Sequence, residues 1–229
     1  MTTLLIATRN EHKVDEIRAI LGDRLQYLTL KDFPAAPEVI EDADTFAGNA
    51  AKKATTLVRW LAAGAINHQL STINFVLADD SGLEVDALDG KPGVHSARFA
   101  ALDTGLAGNS SDADNCAKLL RLLMDIPPEK RTARFRCVIA LTPLLPTQTE
   151  NASPVCYADE LALQTSLFDG TCEGRIDFAP HGTNGFGYDP LFIPTGHKES
   201  FAELSDTEKN KSSHRAKALA KLKEALAKR

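Results

Sequence analysis

The chain has few cysteines, no long apolar run and no excess of positive charge, and each absence excludes a class of protein. Its four cysteines, Cys116, Cys137, Cys156 and Cys172, are 21, 19 and 16 residues apart, which matches neither a CxxC metal site nor a dense disulfide framework. No run approaches the roughly 18 consecutive apolar residues of a membrane-spanning helix. The net charge of −5 gives no general attraction to nucleic acids. We therefore expect reduced cysteines and neither a membrane nor a nucleic-acid partner.

What is present is the composition of an ordinary globular protein, with 43% hydrophobic and 25% charged residues. A chain of 229 residues is long enough for one large α/β domain or two small lobes around a cleft. The first residues, MTTLLIATRNEHK, lack the basic start and long apolar stretch of a secretory signal peptide, so we expect a cytoplasmic protein.

Hydrophobic periodicity predicts alternating strands and helices. Short apolar runs predict strands over residues 3–7, 26–30 and 75–79, and β-like patterns cover 131–142 and 155–168, joined by a loop at 143–154. Helical spacing predicts helices after Asn10, from Phe46 to about Ala63, from Ser110 to Met124 and from Asp206 to Lys228. We expect Thr45 to begin the second helix, and Ser205 and Glu208 have capping-box spacing before the last. The apolar stripe of the second helix is Ala50, Ala54, Leu57, Val58 and Leu61. Turns are predicted at Ser81-Gly82 and at 90–93, and the chain is rich in glycine after Gly170. The pattern indicates an α/β fold.

The segment TRNEHK, residues 8–13, joins the first strand to the first helix. Thr8 and Glu11 have the spacing of a capping box, and Asn10 is an alternative cap. Free backbone N–H groups and the positive end of the helix dipole favour a phosphate here, and Lys13 and Arg9 would add positive charge. The alternative is a capped helix with solvated charges, since no Walker-type glycine spacing is present.

Two adjacent carboxylates, Asp79 and Asp80, end the strand predicted at 75–79, in the motif LADDSG. Ligands gather at the carboxyl ends of strands in α/β sheets, and carboxylate oxygens suit Mg²⁺ held together with substrate phosphates. Successive side chains of an extended segment point in opposite directions, so we do not expect the two acids to share one role. The alternative is that Asp-Asp-Ser-Gly is only a turn.

The loop before the helix at Phe46 supplies further acids. Its candidates to complete a metal site with Asp80 are Glu38, Glu41, Asp42 and Asp44. The alternative for these residues is a solvated loop.

Two later segments have the composition of a base-binding site. GTNGFGYDP, residues 182–190, interleaves glycines with Phe186 and Tyr188, which permits close backbone approach and offers aromatic faces to a base. KNKSSHR, residues 209–215, places basic groups at the start of a helix, where they oppose the helix dipole unless an anion or a carbonyl-bearing ligand is near. A solvated basic face is the alternative for the second segment.

Five blocks of the sequence belong together in order: LLIATRNEHKVDEI, TFAGNAAKKA, LADDSGLEVDALDGKPGVHSARF, GTNGFGYDPLF and ELSDTEKNKSSHRAKAL. Together they resemble the inosine triphosphate pyrophosphatase family, also called the XTP/dITP diphosphatases. The blocks span nearly the whole chain. The resemblance implies one nucleoside-triphosphate pyrophosphatase domain over residues 1–229. It also implies an elongated, twisted mixed β-sheet flanked by helices, with two lobes around a nucleotide-binding cleft, and a homodimer.

The resemblance further assigns roles to residues. It implies that Asp80 is the catalytic proton acceptor and, with Glu41, a ligand of Mg²⁺. The substrate-binding residues that it implies are Thr8, Arg9, Asn10, Glu11, His12, Lys13, Ser81, Phe186, Gly187, Tyr188, Asp189, Lys209, His214 and Arg215.

The implied reaction is the Mg²⁺-dependent hydrolysis of deaminated purine nucleoside triphosphates (ITP, dITP and XTP) to the monophosphate and pyrophosphate. Donors at Lys209 and at His214 or Arg215 would favour the 6-oxo group of these bases over the 6-amino group of adenine. Two other classes stay open: a regulatory module that binds nucleotides without turnover, and a nucleic-acid-binding protein that uses the basic C-terminal helix.

Overall fold

The computed structural model describes residues 1–64, 72–103, 105, 108–144 and 164–228. The strands in this part of the chain are β1 (Thr3–Ile6), β2 (Gln26–Thr29), β3 (Phe75–Val85), β4 (Thr132–Pro143), β5 (Ser166–Ile176) and β6 (Phe192–Pro194). Its α-helices are α1 (Glu11–Leu21), α2 (Phe46–Ala62), α3 (Asp112–Leu122), α4 (Asp206–Ser212) and α5 (His214–Ala227). The predicted loop at 143–154 and the predicted strand at 155–168 fall largely outside the described residues.

The strands form one mixed sheet in the order β2-β1-β3-β4-β5-β6. Strand β1 is parallel to both of its neighbours, with Leu5 opposite Leu28 on one side and Val76 on the other. All four residues of β1 are buried, as expected for a parallel strand covered on both faces, which is why its sequence is a continuous apolar run. Strands β5 and β6 are antiparallel. The prediction of a mixed α/β sheet is confirmed.

The first two helices begin at residues that cap them. The Asn10 side chain accepts from the Lys13 N–H at 3.2 Å, so the alternative cap, rather than Thr8, begins α1. Thr45 accepts from the Gly48 N–H at 3.0 Å and begins α2 as predicted. The predicted stripe of α2 is buried, and its members are Ala50, Ala54, Leu57, Val58 and Leu61. The local sequence patterns therefore predict correctly where α1 and α2 begin.

The predicted turn at Ser81-Gly82 is wrong, because β3 continues to Val85. Leu83 and Val85 are fully buried, and the Leu83 N–H donates to Ser96 Oγ at 2.9 Å. Burial of these apolar side chains outweighs the tendency of serine and glycine to turn. The chain turns instead at the second predicted position, where Asp89 and Gly90 have φ of 51° and 81°.

Two predictions near the C-terminus are also corrected. Strand β5 continues to Ile176, beyond the strand end predicted at residue 168, and runs through Gly170. A Cβ at Gly170 would overlap the carbonyl oxygen of His214, so this glycine marks a close approach of two backbones. The single helix predicted from Asp206 to Lys228 is broken at Ser213, which has an extended backbone and accepts from the Ala216 N–H at 3.1 Å. The capping box of Ser205 and Glu208 is confirmed.

The chain divides into two compact units. The first comprises Met1–Asp80, Val138–Phe168 and Leu219–Arg229, and the second comprises Ser81–Cys137 and Asp169–Ala218. The second unit has its own core, in which Phe135 packs against Phe192 and Phe201 with ring centroids 4.8 and 5.9 Å apart.

The cysteines in the described residues are thiols in no disulfide bond, as predicted. They are Cys116, Cys137 and Cys172, and Cys156 lies outside the described residues. Burial raises the pKa of Cys116 to about 12 and that of Cys172 to about 11, so both stay protonated at neutral pH. Over the same part of the chain, the structure has no helix long and apolar enough to cross a membrane.

Candidate active site

Asp79 and Asp80, in the middle of β3, are both buried and pair with different lysines. Asp79 Oδ1 is 2.5 Å from Lys13 Nζ, and Asp80 Oδ1 is 3.1 Å from Lys53 Nζ. The two acids therefore make different contacts, as expected for successive residues of an extended strand.

Lys53 is the residue of this cluster that the sequence reasoning missed. Its Nζ donates to the Asp79 carbonyl at 2.7 Å and lies 3.3 Å from Glu41 Oε1, in addition to its contact with Asp80. Burial would lower the pKa of Lys53, but the charges of Asp80, Glu41 and Asp79 raise it above its ordinary value. A signal was available: Lys53 lies on the buried stripe of α2, where a lysine must have a partner of opposite charge.

The two predicted metal ligands, Asp80 and Glu41, come together around Lys53. Burial raises the pKa of Asp80 to about 6. The positive charges of Lys53 and Lys13 lower this pKa, and the negative charge of Glu41 raises it further. Burial favours neutral Glu41 too, but the charge of Lys53, with contributions from Asp80 and Lys13, holds its pKa below the ordinary value. Asp80 Oδ2 is buried and has no hydrogen-bond partner among the described residues. An open carboxylate oxygen thus lies next to a second, ionised carboxylate.

These residues fit a Mg²⁺ ion that is held jointly with a substrate. Within the described ranges there is no group of three or more His, Cys, Asp or Glu side chains suited to a metal. Mg²⁺ commonly takes one or two carboxylates and completes its shell with water and phosphate oxygens. The unsatisfied Oδ2 of Asp80 and the neighbouring Glu41 are consistent with such a partial shell.

The start of the 8–13 segment is ordered by its own side chains. The Asn10 N–H donates to Thr8 Oγ1 at 3.2 Å, and Asn10 in turn caps the helix through Lys13. Thr8 is half-buried and Asn10 exposed. Of the predicted phosphate ligands, Lys13 is the one that the structure brings to the carboxylates of β3, through Asp79.

The other charged residues of this segment have different partners. Arg9 Nη2 donates to the Ala36 carbonyl at 3.1 Å, and Glu11 forms an exposed ion pair with Lys31 at 2.5 Å. His12 is exposed. The structure therefore assigns Arg9 to holding the loop after β2.

In the second unit, the 182–190 loop is held by Asp189. Its Oδ2 accepts from the Phe186 N–H at 2.9 Å and from Lys209 Nζ at 2.7 Å, and the Asp189 and Lys209 side chains are almost completely buried. Gly185 has φ of 74°, and a Cβ there would overlap the Asp189 carboxylate, so this turn requires glycine. Phe186 is partly exposed beside two cations, with Lys209 Nζ 5.1 Å and Arg215 Cζ 5.7 Å from its ring centroid.

Arg215 joins this cluster to Ser81, because its Nη2 donates to Ser81 Oγ at 2.9 Å. The ring of His214 stacks on Phe135 with centroids 4.8 Å apart. Tyr188 is buried in the core of the second unit, and its hydroxyl donates to the Ser96 carbonyl at 2.9 Å. Burial accordingly raises the pKa of Tyr188. The structure thus groups Ser81, Phe186 and Arg215, whereas Tyr188 anchors the loop.

A mixed α/β sheet, a buried cluster of carboxylates and lysines, and an aromatic ring beside two cations are together features of an α/β enzyme that handles nucleotides. The chain belongs to the Ham1 family, whose family model matches residues 4–225. The family resemblance inferred from the sequence is therefore confirmed.

Curated relatives match the chain over almost its whole length. It is 43% identical to the dITP/XTP pyrophosphatase of Shouchella clausii over 226 residues, which cover 99% of this chain and 97% of the relative. It is 45% identical to the dITP/XTP pyrophosphatase of Geobacter sulfurreducens over 227 residues, with the same two coverages, 99% and 97%.

Solved structures match the fold at similar coverage. The Staphylococcus aureus Ham1 protein aligns with a TM-score of 0.74 at 32% identity, over 99% of both chains. The dITP/XTP pyrophosphatase from Mycobacterium abscessus aligns with a TM-score of 0.66 at 36% identity, over 96% of this chain and 98% of that one.

Proposed function

We propose that this protein hydrolyses the deaminated purine nucleoside triphosphates ITP, dITP and XTP to the monophosphate and pyrophosphate, and so removes them from the nucleotide pool. Relatives named dITP/XTP pyrophosphatase match it from end to end at 43% and 45% identity. The proposal rests mainly on the contact of the buried Asp80 and Lys53 with the partly exposed Glu41. In this cluster one oxygen of Asp80 has no hydrogen-bond partner among the described residues, and Glu41 is ionised.

In the first unit, we assign the triphosphate to Lys13, Lys53 and the N-terminus of α1. The positive charges of the two lysines and of the helix N-terminus favour phosphate oxygens. Asp80 and Glu41 would hold Mg²⁺, which when bound neutralises phosphate charge and polarises the attacking water. Because Lys53 contacts both carboxylates, it keeps them fixed before any ligand binds.

Asp80 is the proposed proton acceptor. In the metal-free protein, burial raises its pKa to about 6, so it is mostly ionised at neutral pH. A buried, ionised carboxylate next to the attacking water can act as a general base. Water then forms a new P–O bond, the anhydride bond between the α- and β-phosphates breaks, and pyrophosphate leaves. One proton of the water is transferred to Asp80.

In the second unit, we assign the purine to the cluster of Phe186, Lys209 and Arg215, with His214 as a further donor. The Phe186 ring offers a stacking face, and the lysine and arginine N–H groups match a 6-oxo acceptor. Adenine would present a 6-amino donor to these donors. Each buried group left unpaired costs about 1–3 kcal/mol, which corresponds to roughly one to two decades of discrimination against ATP.

The test is pyrophosphate release from a panel of ITP, XTP, dITP, GTP, ATP and dUTP, with Mg²⁺ and with EDTA. We expect release from the first three that depends on Mg²⁺, and loss of most turnover in D80N without loss of folding by circular dichroism. ITP binding without pyrophosphate release would support a regulatory module instead. Near-normal turnover in D80N would reject Asp80 as the proton acceptor.

We further propose that the protein is a homodimer, as the family resemblance implies, and that it works in the cytoplasm. Sedimentation equilibrium and fluorescence localisation test these two proposals directly.

A further inference from the structure

Helix α3 holds the backbone of Gly187, the residue that follows Phe186. Asp112 Oδ2 accepts from the Gly187 N–H at 2.7 Å, and Cys116 Sγ lies 3.4 Å from the Gly187 carbonyl oxygen, to which it donates. Asp112 and Cys116 are four residues apart and therefore lie on one face of the helix. Both backbone polar groups of Gly187 are thus held by a single helix face.

Gly187 lies between a fixed residue and the proposed base-binding ring. On one side, Tyr188 is anchored in the core through its hydroxyl and the Ser96 carbonyl. On the other, Phe186 is beside Lys209. Gly187 has φ of 64°, a conformation that residues with a Cβ rarely adopt. The Gly187 backbone therefore sets the position of Phe186 relative to the anchored Tyr188.

The two side chains suit a holding role. Burial keeps the Cys116 thiol protonated at neutral pH, so it remains a donor to the Gly187 carbonyl. Acidic residues in the first turn of α3 stabilise the helix dipole, and Asp112 is not the single acid there. Asp114 is in the same turn and accepts a hydrogen bond from the Ser111 hydroxyl. The contact of Asp112 with Gly187 is therefore separable from stabilisation of the helix.

We propose that Asp112 and Cys116 are positioning residues for base recognition, which hold Gly187 so that Phe186 is set for stacking on the purine. The inference rests on the proposed function, because it takes Phe186 as the surface that receives the base. It adds two residues on α3 that touch no substrate and act through the 182–190 loop.

The kinetic test compares D112A with D114A, which removes the same charge from the same turn without the Gly187 contact. Loss of a charge-assisted hydrogen bond predicts a rise of about tenfold in KM for ITP in D112A, with kcat changed by less than about twofold. D114A should behave as the wild type. D112N should recover most of the affinity, because its amide oxygen can still accept from Gly187. C116A should raise KM by about threefold, and C116S, which keeps a donor, by less.

An inhibitor without a base separates positioning from general distortion. Inorganic tripolyphosphate should inhibit the wild type and D112A with the same Ki, because the phosphate-binding residues are not altered. A Ki for tripolyphosphate that rises in parallel with the KM for ITP would overturn the inference, as would equal effects of D112A and D114A.

Hydrogen exchange of the Gly187 amide, measured by NMR in the free protein, tests the contact itself. Protection should fall by about tenfold in D112A and stay unchanged in D114A. If the wild type releases no pyrophosphate, the proposed function fails, and ITP affinity measured by calorimetry then replaces KM. Lost protection of Gly187 with unchanged ITP affinity would refute the positioning role, and so would unchanged protection.

Discussion

Lys53 Nζ donates to the backbone carbonyl of Asp79 and, 3.1 Å away, contacts the carboxylate of Asp80. One side chain of α2 therefore fixes both the backbone and the catalytic candidate of β3. The same Nζ is 3.3 Å from Glu41, so a single buried cation sets the geometry of both proposed metal ligands.

Replacing Lys53 with methionine should destabilise the metal-free protein at pH 8. Removing one partner of a buried ion pair leaves an uncompensated charge and costs about 3–5 kcal/mol. The loss should be smaller at pH 5, where Asp80, with its pKa of about 6, is mostly protonated. Urea denaturation in EDTA at both pH values measures the two free energies of unfolding.

K52M is the matched control for this change, because Lys52 is the neighbouring residue and its partner, Asp42, is on the surface. We expect little change in stability from K52M. If K53M and K52M unfold at the same urea concentration at pH 8, Lys53 does not hold the buried carboxylates.

Asp80 should make the metal-free protein less stable as pH rises. Its pKa in the folded state, about 6, is above the ordinary value of 3.8, so the folded protein binds the proton more tightly than the unfolded chain does. The contribution of this group to stability is therefore full below pH 4 and is lost as pH rises towards 6. At about 1.4 kcal/mol per pKa unit, the total loss is on the order of 3 kcal/mol.

The D80N variant should lack this dependence. In EDTA at pH 8 we expect D80N to be more stable than the wild type by about 2 kcal/mol, with the gain shrinking towards pH 5. Unlike K53M, D80N leaves no unpaired charge, because Lys53 keeps the ionised Glu41 as its partner. Urea denaturation across this range measures it. A difference between the two proteins that does not vary with pH would show that Asp80 does not titrate as its burial implies.

The local part of the site was readable from the sequence. Asp80 lies in a short motif, and Asn10 and Thr45 cap their helices through residues three positions away. Glu41 is one of four acids in its loop, and only the family resemblance distinguishes it from the other three. The motif and the two caps depend on sequence neighbours, so their patterns are visible without a structure. The parallel strand β1 was predicted for the same reason, from an uninterrupted apolar run.

The missed features depend on contacts between distant residues. Lys53 meets Asp80 across 27 residues, and Asp112 meets Gly187 across 75. Ser81 and Gly82 predict a turn, whereas the buried Leu83 and Val85 keep β3 extended. Periodicity reports which face of an element is buried, but it does not report which partner covers that face.

Replacing Glu41 with glutamine should weaken the binding of Mg²⁺ and leave the stability of the folded protein nearly unchanged. Glu41 is half-exposed and ionised, so its loss removes one anionic oxygen from the proposed metal site and little buried structure. The Mg²⁺ concentration for half-maximal ITP hydrolysis should rise by about tenfold or more.

E38Q is the control for E41Q, since Glu38 is an exposed acid of the same loop. Its Mg²⁺ dependence should match that of the wild type. Identical Mg²⁺ titrations for E41Q and the wild type would remove Glu41 from the metal site and leave Asp80 as the single protein ligand proposed.

Replacing Arg215 with lysine should reduce base discrimination more than phosphate handling. The arginine is almost fully buried and donates to Ser81 Oγ from one nitrogen of a planar fork, whose rigid geometry no lysine reproduces. A lysine keeps the charge but not the fork. The ratio of kcat/KM for ITP over ATP should fall by about tenfold, while Ki for tripolyphosphate stays constant.

K217M, which alters an exposed lysine of the same helix, should leave the ratio unchanged. A ratio in R215K equal to that of the wild type would mean that Arg215 orders Ser81 without contacting the purine.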